Sequence, residues 1–191
     1  TPDGGCYVAG YTTQPDFSFD LLLAKYDSTG ALDTGFDTDG IAIWDSAAQD
    51  VAYDMVLQPD GKPLLAGTSG GFFMDDRDFL LVRYRSDGSL DTDFDGDGYS
   101  VTTVATAFDE ANGICLQADG KILAAGKGNT GPNNDVAVMR FNNDLFVGIA
   151  EPTATANLSC WPVPVRTGSV VHVWSTLQAE RIELTDLFGR T

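Results

Sequence analysis

Four aspartates in one short acidic run have the spacing in this sequence that best fits a metal site. They alternate with other residues in the stretch DTDFDGDG, at Asp91, Asp93, Asp95 and Asp97. Carboxylates that alternate along a glycine-containing turn can converge on a hard cation such as Ca²⁺. A helix–loop–helix calcium site would need a glutamate at its twelfth position, whereas counting from Asp91 or Asp93 reaches Thr102 or Val104. The run therefore predicts either a calcium site or aspartates that hydrogen-bond within a turn.

A second motif matches the G-x-S-x-G pattern of a nucleophile elbow, in the stretch GTSGG around Ser69. That motif needs a strand, a sharp turn and a helix, followed by a histidine and an acid. No helix is predicted here, and the sole histidine, His172, alternates with Val171 and Val173 as in a strand. We therefore predict no catalytic residue and expect the protein not to be an enzyme.

The charge balance excludes one large class of partners. Asp and Glu number 28 against 11 Lys and Arg, which gives a net charge of −17. Binding to a phosphate backbone needs clustered basic residues, so we predict no nucleic-acid partner. The same balance disfavours an anionic membrane surface, and no apolar run is long enough for a transmembrane helix.

Three cysteines leave the redox state open. Cys6 and Cys115 fall on predicted strands, and Cys160 lies in the C-terminal region. One disulfide with a free thiol would suit an exported protein, and buried free thiols are the alternative. Their spacing matches no metal site.

The acidic run and the serine motif both lie inside an internal repeat. Copies of three landmarks are spaced by about 58 residues, and such a period indicates a repeat architecture. The landmarks are Pro-Asp-Gly at 2–4 and 59–61 with Ala-Asp-Gly at 118–120, Ala-Gly at 9–10, 66–67 and 125–126, and an acid six residues before an aromatic at 20–26, 78–84 and 135–141.

Short apolar segments separated by Asp-Gly and other turn residues indicate four strands in each repeat. The continuous run Leu80 to Val82 fits a strand that is covered on both faces. The sequence thus predicts an all-β fold of four-stranded antiparallel blades of a β-propeller, with a β-solenoid as the structural alternative. The predicted strands of the central repeat are Pro63 to Ala66, Phe79 to Tyr84, Tyr99 to Val104 and Asn112 to Gln117.

The succession LQPDGK, L-x-AG, DF-x-L-x-RY and DGSLDT-x-F resembles the delta-60 repeat, a β-propeller family of large bacterial surface or secreted proteins. The resemblance covers residues 1–146, as repeats 1–56, 57–115 and 116–146. The first copy departs from the pattern, because Gly5 and Cys6 stand where the family has a lysine and an aliphatic residue. The resemblance implies a propeller fold and a bacterial surface setting, and it implies no activity.

Propellers contain about 4 to 8 blades. Three repeats, of which the last is incomplete, would form only a partial ring. We therefore expect further blades before Thr1, because open blade edges invite pairing with another molecule.

The composition changes after the third repeat. Residues 147–160 are small and polar and are predicted to form a linker. Residues 161–191 resemble the start of the type IX secretion system C-terminal sorting domain, a small β-sandwich, although Trp161 and Val163 depart from its usual residues. The matching positions are Pro162, Pro164, Val165, Arg166, Leu184, Asp186, Gly189 and Arg190. The resemblance implies export across the outer membrane, with the type IX machinery as a partner of residues 161–191.

Together these features predict a non-enzymatic structural or binding module of a secreted or cell-surface bacterial protein. Its expected partners are a surface glycan, a protein or other copies of itself, and no cofactor is expected apart from the calcium considered above. Two alternatives stay open at this point: a self-associating extracellular filament subunit, and an accessory part of a larger secreted hydrolase.

Overall fold

The computed structural model describes residues 1–71, 76–105, 108–129, 134–142 and 172–175. Within these ranges the chain forms eleven β-strands and no helix, which confirms the predicted all-β class. No helix that could cross a membrane occurs in this part of the chain. The strands are β1 (Cys6–Thr13), β2 (Phe19–Tyr26), β3 (Ile41–Trp44), β4 (Gln49–Leu57), β5 (Pro63–Gly70), β6 (Arg77–Arg83), β7 (Tyr99–Thr102), β8 (Glu110–Leu116), β9 (Ile122–Asn129), β10 (Asn134–Phe141) and β11 (His172–Ser175).

The strands form three sheets that follow one another along the chain. The first sheet has the order β1-β2-β3, the second β4-β5-β6-β7, and the third β8-β9-β10-β11. Neighbouring strands are antiparallel, apart from β11, which runs parallel to β10. The predicted antiparallel blades are therefore present.

The sheets are offset from the repeats that the sequence suggested. Residues 112–117 were predicted to be the last strand of the central unit, but β8 pairs with β9 and opens the third sheet. In the same way, β4 pairs with β5 rather than with β3. The reason is geometric, because the segment after β3 or β7 crosses from the last strand of one sheet to the first strand of the next. We call residues 45–48, and the described residues 103–105 and 108–109, the crossovers.

The C-terminal predictions fall largely outside the described residues. This applies to the linker at 147–160 and to all of the sorting-like region at 161–191 except 172–175. Those four residues form β11, at the edge of the third sheet beside β10. His172 is therefore a strand residue, as its alternation with valines predicted.

The central sheet is buried on both faces. Along β6, Phe79 and Leu81 belong to a core shared with the third sheet, whereas Leu80 and Val82 belong to a core shared with the first sheet. All four side chains are at most 1% exposed. Burying each such side chain stabilises the fold by about 1.5–3 kcal/mol. The predicted two-sided strand is thus confirmed, and it joins the three sheets through two hydrophobic cores.

One glycine in each four-stranded sheet lies opposite a β-bulge of the neighbouring strand. Gly67 in β5 and Gly126 in β9 both lie opposite a β-bulge, in β4 and β8 respectively. A Cβ on Gly67 would lie 1.8 Å from the Val51 carbonyl oxygen, and a Cβ on Gly126 would lie 1.8 Å from the Glu110 carbonyl oxygen. Gly10 holds the same repeat position in β1, but a Cβ there would meet nothing within 4 Å.

This difference makes a paired prediction. Gly67→Ala should lower the free energy of unfolding by at least about 2 kcal/mol, because the backbone of β4 has to move away from the new methyl group. Gly10→Ala, the matched control, should change it by less than about 1 kcal/mol. Urea unfolding followed by circular dichroism measures both values. Equal effects of the two substitutions would contradict the close approach of β4 to β5.

Candidate functional site

Asp91 lies at the start of the predicted calcium run and is fully buried. The turn that precedes it follows β6 and folds back on that strand, since the Asp91 amide donates to the Arg83 carbonyl oxygen at 2.9 Å. The next turn closes when Phe94, itself buried, donates its amide to the Asp91 carbonyl oxygen at 2.9 Å. The backbone on both sides of Asp91 therefore fixes the direction of its carboxylate.

Three basic side chains surround this carboxylate. Arg83 Nε and Lys62 Nζ each lie 2.7 Å from Oδ2, and Arg85 Nη2 lies 3.2 Å from Oδ1. The Arg83 guanidinium also stacks over the Phe94 ring, 5.0 Å from its centroid. Asp91 is thus the shared acid of a charge cluster that joins the start of β5 to the end of β6. We call these residues the Asp91 cluster.

The cluster perturbs the acidity of Asp91. Burial raises the pKa of its carboxyl group, whereas the hydrogen bond from Lys62 and the charge of Arg83 lower it. The net pKa lies below the ordinary value for an aspartate. Asp91 therefore stays ionised in the folded protein, as it must if it is to neutralise buried cations.

The first repeat has a reduced version of the same cluster. Asp33 holds the position of Asp91 and forms an ion pair with Lys25, at 2.8 Å between Nζ and Oδ2. The Asp33 side chain is 30% exposed, and Gly5 stands where the second repeat has Lys62. Because Gly5 replaces a lysine, the turn of the first repeat has no cation at this position.

The structure does not bring the four aspartates of the predicted calcium run together. Asp93 is 74% exposed and lies 3.9 Å from Arg85 Nη2. Asp95 is exposed in a left-handed backbone conformation with φ at 52°, and Asp97 accepts a hydrogen bond from the Tyr99 amide at 3.3 Å. Among the described residues, no three His, Cys, Asp or Glu side chains are grouped to hold a metal ion. The calcium site stays a prediction from sequence.

A calcium titration tests it directly. Calcium would have to displace Lys62 and Arg83 from Asp91, so we expect no saturable heat in calorimetry and no rise in melting temperature at millimolar calcium. The variant Asp93→Asn with Asp95→Asn serves as the control for weak binding of ions to exposed carboxylates. Saturable binding to the wild type that this variant loses would show that the run rearranges around calcium.

Ser69, from the G-x-S-x-G stretch, is a buried residue near the end of β5. Its hydroxyl lies 3.1 Å from Ser46 Oγ, which donates to the buried Asp50 carboxylate at 2.8 Å. Burial raises the pKa of Asp50, although hydrogen bonds from Ser69 and Ser46 act against this shift. No helix follows in the described chain, so the stretch does not form a nucleophile elbow.

Asp50 and Asp109 have a structural role that the sequence reasoning missed. Asp50 is the second residue of β4 and Asp109 directly precedes β8, and each accepts hydrogen bonds from backbone amides of its own crossover. Asp50 accepts from Ser46 at 2.8 Å, and Asp109 accepts from Val104 and Ala105, both at 2.7 Å. The two aspartates occupy the same position in successive repeats, and this recurrence in the sequence could have indicated a shared structural role. Both carboxylates are fully buried and fix the passage from one sheet to the next.

A second charged group links β4 to β8 in the neighbouring sheet. Glu110 accepts a hydrogen bond from Tyr53 Oη at 3.2 Å and pairs with Lys127 at 2.9 Å. Arg77 Nη1 lies 4.0 Å away, and both cations lie over the Phe108 ring. Burial, and to a smaller extent the charge of Glu110 and its hydrogen bond, raise the pKa of the Tyr53 hydroxyl group to about 12. The group is therefore another contact between sheets.

The described cysteines and one open surface depression offer little reactive chemistry. Cys6 and Cys115 are free and exposed, so they are neither paired with each other nor buried, and Cys160 lies outside the described residues. An open depression near the β1–β2 turn contains three aspartates but no base of another type. It is lined by Gln14, Pro15, Asp16, Ser18, Asp20 and Asp45.

Tandem antiparallel sheets, joined by crossovers from the last strand of one to the first strand of the next, define a β-propeller repeat protein. A family model described as "Domain of unknown function (DUF5122) beta-propeller" matches residues 1–36, 58–94 and 117–147. The chain belongs to this family. The matched segments contain β1 and β2, β5 and β6, and β9 and β10, and the first two segments also contain Asp33 and Asp91. No curated protein matches the chain.

The Asp91 cluster makes a second testable prediction. Asp91→Asn should lower the free energy of unfolding by about 3 kcal/mol, because it leaves buried cations without their counterion. Asp33→Asn, at the matched but partly exposed position, should cost much less, because solvent screens its ion pair with Lys25. Urea unfolding at neutral pH gives both values. A loss at Asp33 as large as that at Asp91 would contradict the dependence on burial.

The wild type and Asp91→Asn should also differ in how their stability depends on pH. Since the folded state lowers the pKa of Asp91, its stabilisation is present above the unfolded-state pKa of about 3.9 and is lost as the pH falls through the folded-state value. The wild type should therefore lose stability below about pH 4 more steeply than Asp91→Asn does. Parallel acid limbs in the two proteins would contradict the assignment.

Proposed function

We propose that this chain is a non-enzymatic structural or binding module of a secreted or cell-surface bacterial protein. The observation that carries the proposal is the Asp91 cluster. The first carboxylate of the acidic run at residues 91–97, that of Asp91, pairs with Lys62, Arg83 and Arg85. These ion pairs connect the start of β5 to the end of β6. A carboxylate that is enclosed and neutralised in this way supports the fold and does not act on a substrate.

The other buried polar groups support the same proposal. Ser69 and Asp50 hydrogen-bond within the junction between the first two sheets, and Glu110 bonds across the junction between the second and third. A general acid or base has to reach a bound substrate. These groups instead contact one another and the backbone. The role proposed for them is to keep repeated sheets in register, and no cofactor is part of the proposal.

The finer family assignment and the export route rest on the sequence. The succession from LQPDGK to DGSLDT resembles the delta-60 repeat, which supports a setting in large surface or secreted proteins. Pro162, Pro164 and the Leu184 to Arg190 stretch resemble the start of a type IX sorting domain. We propose that the type IX machinery recognises residues 161–191 and that the sheets are carried to the cell surface or the medium.

A specific observation favours self-association as a second candidate. In the first sheet Val8 is 50% exposed and Tyr11 is 52% exposed, whereas Leu65 and Thr68, at the equivalent positions of the second sheet, are completely buried. Exposed apolar side chains favour a protein surface over a glycan alone as the partner, so another copy of the chain or another surface protein is the second candidate. The exposed residues of this sheet and its turns are Val8, Tyr11, Phe17, Leu32 and Ile43.

Export in a bacterium that has the type IX system tests the proposal. The chain, placed behind a general secretory signal peptide, should reach the medium or the outer surface, and a variant that lacks residues 161–191 should stay in the periplasm. Pro162→Ala with Gly189→Ala should reduce export, whereas Ser169→Ala, outside the matching positions, should not. Immunoblots of cell fractions measure the distribution. Equal export of the full and shortened chains would contradict the assigned route.

A further inference from the structure

The two buried aspartates at the crossovers have the same backbone contacts. Asp50 Oδ2 accepts a hydrogen bond from the Ser46 amide at 2.8 Å, and Asp109 Oδ2 accepts one from the Val104 amide at 2.7 Å. Val104 therefore holds in the second crossover the position that Ser46 holds in the first. Both aspartates are 0% exposed. A difference between the two carboxylates has to come from the side chains around them.

The side chains around Asp50 supply hydroxyl groups. Ser46 Oγ donates to Asp50 Oδ1 at 2.8 Å. Ser69 stands opposite Asp50 in the register of β4 and β5, and its hydroxyl lies 3.1 Å from Ser46 Oγ. Both carboxylate oxygens of Asp50 therefore have a hydrogen-bond donor from within the protein.

Asp109 lacks both of these hydroxyl groups. One position beyond the pairing of β8 with β9, Gly128 stands opposite Asp109, where the first junction has Ser69. A Cβ on Gly128 would lie 3.1 Å from Asp109 Oδ1, 3.3 Å from Ala105 Cβ and 3.7 Å from Val104 Cγ1. In the described part of the chain, Oδ1 is buried and has no hydrogen-bond partner. It faces small and apolar residues at the point where the first junction has a serine side chain.

The chemistry of this environment decides what the oxygen binds. Buried polar atoms in folded proteins are almost always hydrogen-bonded, either to the protein or to ordered water. A hard cation would need several oxygen ligands. The neighbours of Oδ1 are a glycine, an alanine and a valine, and the described residues contain no group of three acids, histidines or cysteines that could hold a metal ion. Water is a donor of the size of the missing serine hydroxyl.

We propose that Asp109 Oδ1 and Gly128 form a binding site for one buried water molecule. The water donates a hydrogen bond to Oδ1 and replaces the serine hydroxyl groups that surround Asp50. Its role is to hold the Asp109 carboxylate, and with it the second crossover, in place. The first junction uses side chains for this purpose, and the second uses solvent.

Magnetic relaxation dispersion of water tests the site in solution, because it counts buried water molecules that exchange slowly. Gly128→Ser should lower the count by one, since the new hydroxyl takes the place of the water. The double variant Ser46→Val with Ser69→Gly copies the second junction at Asp50 and should raise the count by one. Ser89→Ala is the control. It removes a hydroxyl donor from the exposed Asp87, so the count should not change.

Two further measurements on the wild type do not depend on the folding of any variant. A crystal structure of the chain should show an ordered water within hydrogen-bond distance of Asp109 Oδ1. Melting temperatures in the chlorides of sodium, potassium, ammonium and choline at equal ionic strength should agree within about 1 °C, because a neutral ligand gives no linkage to the cation.

Three results would overturn the inference: unchanged water counts in Gly128→Ser and in the double variant, a crystal structure without a water at Oδ1, or a rise in melting temperature with one cation that Gly128→Ser loses. The last result would assign the site to that cation. The inference goes beyond the proposed function, and none of these measurements depends on the export route.

Discussion

The architecture depends on a sheet that has to be covered from both sides. β6 carries apolar side chains at successive positions, so its two faces cannot both find cover within a single sheet. Burial of Leu81 requires the third sheet, and burial of Leu80 requires the first. Each sheet is therefore stable chiefly through its neighbours, as expected for repeat proteins in which adjacent units supply one another's core. Tandem repetition is a physical requirement here.

Polar and charged residues make this stacking specific. Hydrophobic faces alone would allow sheets to slide over one another, since area burial has no preferred direction. Asp50 and Asp109 fix the crossovers, and Asp54 accepts a hydrogen bond from the Ile114 amide of the next sheet at 2.8 Å. The large excess of acidic residues is thus partly explained by carboxylates that accept backbone amides, a role that aspartate fills well in turns.

The sequence predicted local features well, but it predicted less well which residues and which strands contact one another. The turn glycines, the position of β6 and the lack of helices in the described part of the chain follow from patterns within a few residues of each other. The role of Asp91 does not, because Lys62 directly precedes β5 and Arg83 ends β6, so the two cations meet Asp91 only after the sheet has formed. The pairing of β8 with β9 was missed for a similar reason. A strand pattern shows that a segment is extended, but the crossover geometry decides which sheet it joins.

The offset between repeats and sheets determines where this polypeptide can be divided. A fragment that starts at residue 57, the repeat boundary suggested by the sequence, would leave β4 behind and expose the flank of β5 that β4 protects. A fragment that starts within residues 45–48 keeps a whole four-stranded unit, although it loses the Ser46 donor of the crossover if it begins beyond that residue. Domain swaps and circular permutations should therefore place their junctions in the crossovers and not in the Pro-Asp-Gly turns.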